Sequence, residues 1–203
     1  MRRTTEAGET EYPVSPEDVA TALAARMTFD TGLLAPDTLC VLAEGATRTV
    51  AACRRPQKTA LWLEGSDDPV RVPLPGLVMV RKTTANSAPA YSVWAVTERP
   101  ASYDARLYHA PLPNVYGSGG VCWGTVRRVA EKALAGASLA EDWAQLLGSP
   151  FGNHSVGGKS KLHRDDVRKM YFDLEKRRAR VYPRKDLVDA KRTLGSVLGV
   201  KSP

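Results

Sequence analysis

Residues 107–126 read LYHAPLPNVYGSGGVCWGTV. Pro111 and Pro113 stand just before Asn114, and Gly117, Gly119, Gly120 and Gly124 surround Cys122, so neither a long helix nor a regular strand suits the stretch. It reads as a long, structured loop. Glycine on both sides lets backbone turn or approach closely around a thiol. A nearby asparagine amide can donate a hydrogen bond to an oxyanion developing on a carbonyl bound to sulfur. On these residues alone two readings stay open: acyl-thioester chemistry at Cys122, or a buried cysteine in a Gly-rich hairpin. His109, His154 and His163 follow no protease signature around the cysteine.

On the N-terminal side of this loop the pattern is that of strands. The runs TLCVLA (38–43), TRTVAAC (47–53), TALWLE (59–64), VRVPL (70–74), GLVMVRK (76–82) and AYSVWAVT (90–97) are separated by Gly, Pro, Asp or Asn. Their close spacing predicts an antiparallel meander, because parallel neighbours need crossovers of about a dozen residues or more. Cys40 and Cys53 lie inside these runs and read as small core hydrophobes. Before them, Ser15-Pro16-Glu17-Asp18 supplies an N-cap, a proline at the first helical position and acid in the first turn, which predicts a helix over about 16–27. Residues 1–12 are polar and aperiodic and are expected to form a disordered tail.

On the C-terminal side the period becomes helical. Ser138 and Glu141 have the spacing of a capping box ahead of Leu139, Trp143, Leu146 and Leu147. Val167, Met170, Tyr171 and Leu174 mark a second helix over about 164–180, acidic at its start and ending in KRRAR. Leu187, Ala190, Leu194, Val197 and Leu198 mark a third. The expected class is α+β, as one domain over 13–203 with a core at about 28–150 and a basic helical part at 151–203.

Composition narrows the function. The 203 residues are 43% hydrophobic and 25% charged, which fits a globular chain. The lack of an apolar run long enough to span a bilayer, and of a secretory pattern in MRRTTEAGETEYP, gives cytoplasmic as the expected location, with no membrane partner. Three cysteines with no CxxC or Cys/His spacing disfavour a disulfide framework and a zinc site, so no metal is expected. The net charge of +7 is concentrated at the end, where residues 151–203 hold 14 Lys+Arg against 6 Asp+Glu. Such a segment suits nucleic acid, an acidic partner or plain solvation. VGGKS at 156–160 ends like a phosphate-binding loop, but Gly152 is one residue too far from it and no β-run precedes it. The 19 Arg against 10 Lys hint at a GC-rich bacterial genome.

The loop resembles the active-site stretch of ubiquitin-conjugating enzymes, which reads HPN, a short Gly-containing turn and then cysteine. Asn114 and Cys122 stand at that eight-residue spacing. Leu146-Leu147-Gly148-Ser149-Pro150-Phe151 is similar to the family's helix end after the cysteine, and DDVRKMYFDLEKRRARVYPRK is similar to its following helix. The form LY-x-AP-x-PN-VY-x-x-G-x-VC-x-G looks most like the prokaryotic family-D branch, which includes protein B of the PRTRC gene system. The resemblance implies the ubiquitin-conjugating fold, with N-terminal helix, antiparallel meander, active-site loop and C-terminal helices. It also implies transfer of a ubiquitin-like protein through a thioester on Cys122, with Asn114 steadying the loop and the oxyanion.

The implied partners are a ubiquitin-like protein, a ThiF-like activating enzyme and a JAB-type isopeptidase, and no cofactor is implied for this chain, ATP being used by the activating enzyme. Departures from the family pattern set further questions. Leu112 stands where the family has the His of HPN, so the loop-ordering bonds are expected from Tyr108 or His109. His154 stands where many members carry an acid that orients the incoming lysine, and an imidazole there is a candidate base. Trp123 replaces the usual leucine and is expected to pack against the sheet or shield the thioester; Tyr116 is a further supporting candidate. No Lys or Arg adjoins Cys122, and Arg127 and Arg128 follow by five and six residues. That suits a thiol loaded by a partner. The alternative is an idle binding module of the same fold, its basic helices docking nucleic acid or an acidic partner.

Overall fold

The computed structural model describes residues 2–5, 8–11, 13–26, 31–84, 87–124 and 138–200. The chain divides into two compact units, Met1–Gly32 and Leu33–Pro203. In the first, β1 (Arg2–Thr5) pairs antiparallel with β2 (Gly8–Glu11), where composition predicts only a tail. Thr4, Thr5 and Thr10 are β-branched and favour the extended backbone that such a ladder needs. Helix α1 (Pro16–Arg26) starts as expected, with Ser15 Oγ accepting from the Asp18 N–H at 3.0 Å.

The second unit is built on a six-stranded, wholly antiparallel sheet. Its strands are β3 (Thr38–Glu44), β4 (Thr47–Arg54), β7 (Gly76–Thr84), β8 (Ala90–Val96), β9 (Arg106–His109) and β10 (Asp189–Thr193), in the spatial order β10-β9-β8-β7-β4-β3. The meander is interrupted, because β5 (Gln57–Leu61) and β6 (Val70–Leu74) pair with each other as a separate hairpin. Both faces of the large sheet are buried, which is why GLVMVRK reads as a continuous apolar run and not as an alternation. Val50, Ala52, Leu77, Met79, Tyr91 and Val93 join one core with Leu61, Val72 and the helices α2 (Ala140–Gly148) and α3 (Val167–Lys176). Their neighbours Ala51, Cys53, Val78, Val80, Trp94 and Val96 form a second core with Leu194 and Leu198. The α+β class expected from the sequence is the one observed, and it is compatible with a ubiquitin-conjugating fold.

Three local expectations are corrected. The helix expected through Leu187–Leu198 is instead the edge strand β10 and the short helix α4 (Leu194–Leu198), preceded by a 3-10 turn (Arg184–Asp186). The reason is topological: Leu187 belongs to one core, and Leu194 and Leu198 to the other, so no single helical face can serve all three. A bulge between Asp189 and Arg192, with Lys191 at φ 55°, turns the chain, and Thr193 caps α4 through a capping box with Ser196. The capping box expected at Ser138 and Glu141 is absent, since Leu139 is the N-cap and Ser138 Oγ accepts from the Ala140 N–H. Helix α3 begins at Val167, where the Asp166 side chain accepts from the Arg168 N–H, and it ends at Lys176, so the KRRAR run is the helix terminus and the turn beyond it. Among the described residues no helix is long and apolar enough to cross a membrane.

Candidate active site

Asn114 to Cys122 form a short hairpin. The Cys122 N–H donates to the Asn114 carbonyl at 2.7 Å, Val115 faces Val121 in an antiparallel bridge, and the Tyr116 N–H donates to the Gly120 carbonyl at 2.8 Å. The turn from Tyr116 to Gly119 closes on the Gly119 N–H, which donates to the Tyr116 carbonyl at 2.8 Å. Glycine is required at 119: its φ is 85°, and a Cβ there would stand 2.2 Å from the Trp94 ring. This closeness follows from the hairpin's docking on β8, where the Val93 N–H donates to Gly119 and the Val121 N–H donates to Tyr91.

The Cys122 thiol is half-buried and free. The Tyr116 side chain, and after it the Gly124 backbone, hold the thiol below its ordinary pKa, while the Cys122 sulfur holds the Tyr116 phenol above its own. Tyr116 is itself exposed. Trp123 is buried against Tyr91, edge to face with ring centroids 5.0 Å apart, so of its two expected roles the structure displays packing. Tyr91 in turn donates to Asp142 of α2 at 2.7 Å, and Asp142 pairs with Arg81 of β7 at 2.8 Å. The floor under the thiol is thereby tied to the helix beyond it.

Asn114 adopts φ 61°, in the left-handed region where asparagine is among the better-tolerated side chains. Its amide spans to the chain beyond α2, with Nδ2 donating to the Pro150 carbonyl at 3.2 Å and Oδ1 accepting from the Gly152 N–H at 3.1 Å. Around Gly152 two further side chains converge, because a Cβ there would lie 3.1 Å from His154 Nδ1 and 3.2 Å from Glu64 Oε2. His154 thus stands beside the segment that Asn114 holds. Glu64, unremarked in the sequence, arrives because its N–H donates to the Phe151 carbonyl at 2.9 Å, which stitches the chain after β5 to this segment.

The bonds that order the loop come from neither Tyr108 nor His109. Leu112 is fully buried, and its carbonyl accepts from Lys159 Nζ at 2.6 Å; the same amine bonds the Val115 carbonyl. Ser155 Oγ also donates to the Val115 carbonyl, at 2.9 Å, and the Tyr171 hydroxyl donates to the Pro111 carbonyl. His109 lies half-buried on β9 against Trp94; burial holds its imidazole below the ordinary range, and the Lys159 charge adds to that effect. Tyr108 sits beside it on β9, partly buried against the larger core. His163 is engaged with Asp173 at 2.8 Å, away from these contacts. Arg127 and Arg128 fall outside the described residues. The one signal that points toward Lys159 is indirect: with leucine in place of histidine, the loop carbonyls need a donor from elsewhere.

A two-faced antiparallel sheet with helices packed on it, and an Asn–Gly–Cys hairpin docked on its fourth strand from the β3 side, defines a protein built like the ubiquitin-conjugating enzymes. Residues 18–190 match the family model of prokaryotic E2 family D, and the chain belongs to that family. Its role is accordingly E2-like. No curated protein and no solved structure matches the chain.

Proposed function

We propose that this protein carries the C-terminal acyl group of a ubiquitin-like protein as a thioester on Cys122. The Cys122 thiolate attacks the thioester of a ThiF-like activating enzyme, which has used ATP to form it; a new C–S bond forms and the activating enzyme's thiolate leaves. An amine acceptor then attacks the carbonyl, Cys122 leaves as thiolate, and the amine loses its proton. A JAB-type isopeptidase would reverse the final bond. The observation that carries this reading is the free, half-buried thiol at the end of the Asn114–Cys122 hairpin, and the Tyr116 side chain and Gly124 backbone beside it favour the thiolate.

Asn114 commits its oxygen and one amide hydrogen to residues 150–152, so its part in the reaction is chiefly to hold the loop. Tyr116 and Gly124, the groups that act on the sulfur, are the candidate donors to the oxyanion that forms two bonds away, on the carbonyl carbon. His154 and Glu64 flank the same segment, where an imidazole can take the proton of an attacking amine and a carboxylate can attract an ammonium. The experiment is a non-reducing gel and intact mass after mixing the protein with ATP and the activating enzyme and ubiquitin-like protein encoded nearest its own gene. A DTT-sensitive adduct of modifier mass, absent in Cys122→Ala, is expected. No adduct, with the activating enzyme shown to be charged, would sink the carrier reading in favour of the binding module.

A further inference from the structure

We propose that Lys159 is the positioning residue of this site, its amine gripping the Leu112 and Val115 carbonyls from inside the protein so that the loop between them presents Asn114 and Cys122. The inference rests on the thioester reading for its chemistry, but its geometry stands apart from it. Lys159 is only 2% exposed, and among the described residues no carboxylate pairs with it. Its hydrogen bonds go to backbone of the candidate active-site loop. A lysine withdrawn from water without a counter-ion is costly to place, so what it touches is what its placement secures.

The two carbonyls it holds belong to residues three apart, and one nitrogen reaches both only if the chain between them curls around it. Pro113 and Asn114 occupy that curl. Asn114 is held there at φ 61°, a conformation that a free loop would leave for the ordinary right-handed or extended regions. From the curl the chain passes straight into the hairpin, because the Asn114 carbonyl accepts the Cys122 N–H while the Asn114 amide reaches Pro150 and Gly152. One side chain therefore sets the direction of both the thiol-bearing hairpin and the segment that carries His154. Burial pushes the amine down to about 7, and a neutral amine still offers two N–H groups, one for each carbonyl. The clamp needs donors more than it needs charge. The loop from which it comes, VGGKS, thus turns its lysine onto protein backbone.

The test compares the full-length protein with Lys159→Met, which keeps length and apolar bulk but has no donor, and with Lys159→Gln, which keeps two N–H groups. Amide hydrogen exchange reads the Cys122 N–H and the Gly152 N–H, both bonded to Asn114, against Val50 and Val80 in the central ladder. Single-turnover discharge of the Cys122 thioester to free lysine gives kcat and KM for the amine. In Lys159→Met the two site amides should exchange about tenfold faster or more, the scale of one lost buried hydrogen bond, with the ladder unchanged. Loading should proceed, kcat for discharge should fall by a similar factor with KM unmoved, and Lys159→Gln should recover part of both.

The proposal is overturned if exchange at Cys122 and Gly152 and the discharge rate all equal those of wild type. It is equally overturned if protection is lost across β4 and β7 to the same extent, which would make Lys159 a general core residue. Should Lys159→Met fail to fold, Lys159→Gln is judged by the same two readings. If wild type is never loaded, the thioester reading fails, while exchange at the two amides still decides whether the clamp exists.

Discussion

Arg81 and Lys159 are both withdrawn from solvent, at 0% and 2% exposure, yet the molecule keeps them by different means. Arg81 lies where β7 meets α2 and is paired with Asp142, which also accepts from Tyr91. Lys159 lies under the candidate active-site loop and holds backbone carbonyls. The first arrangement is an ion pair that fastens a helix to a sheet, and its value depends on two charges staying together. The second is a donor reaching an irregular segment that has no ladder of its own, and it works with or without the charge. Pairing belongs to the scaffold, and carbonyl capture to the loop that the scaffold carries.

The largest effect should come from breaking the scaffold's pair. Asp142→Ala takes the Asp142 carboxylate from the buried Arg81 guanidinium, which is expected to cost about 3–5 kcal/mol in urea unfolding with the m-value unchanged. The double variant Arg81→Met/Asp142→Leu should recover most of that loss, because an apolar pair of similar bulk avoids the desolvation of both ions. A single-variant loss below about 1 kcal/mol would mean that the pair is screened like one on the surface. Cys122 chemistry offers a second reading of the same break, since Tyr91 joins Asp142 to Trp123 beside the thiol.

These two buried cations also mark how far sequence reasoning reaches. The strands β3, β4, β6, β7 and β8 were legible because short β-branched runs between turn residues have few other ways to fold, and the start of α1 was legible because Ser15, Pro16 and the acids act locally. The hairpin was legible as a site because Asn114, the glycines and Cys122 are close in sequence. What escaped is whatever depends on distant partners. Asp142 and Arg81 stand sixty-one residues apart along the chain, and no local pattern names one as the partner of the other. Lys159, forty-seven residues beyond Leu112, stands in VGGKS, a stretch whose local pattern suggests only a poor phosphate-binding loop. The helix expected at 187–198 failed for a related reason: its apolar period was genuine, but its members serve opposite faces of the sheet.

A smaller effect separates the two cations by pH. The Lys159 amine lies near 7 in the folded protein against 10.5 ordinarily, so its folded pKa is depressed. Below about pH 7 both states hold the proton and the cost of burying it is fully present; between there and about 10.5 only the unfolded chain holds it. Stability should therefore rise with pH across that window, by about 1.4 kcal/mol per pH unit relative to Lys159→Met. His109, which faces this amine, has its pKa lowered and stays neutral over the same range. Urea unfolding of both proteins at about pH 7.5 and about pH 9 measures the slope. Parallel pH dependences would mean that water reaches the amine and that the clamp is looser than its geometry.

The smallest effect is on the thiol itself and should leave stability alone. Tyr116 is exposed, so removing its hydroxyl empties no core, and Tyr116→Phe should unfold with wild type. Its hydroxyl is nevertheless the first cause of the lowered Cys122 pKa, ahead of the Gly124 N–H. With only the backbone donor left, the thiol pKa should rise, and iodoacetamide should alkylate Cys122 more slowly at neutral pH while the rate at high pH, where every thiol is ionised, stays the same. An unchanged pH–rate curve would assign the lowered pKa to the hairpin backbone. That outcome would bring the site closer to Lys159, because main-chain groups, one holding the sulfur and others held by the lysine, would then account for both the reactivity of the thiol and its direction.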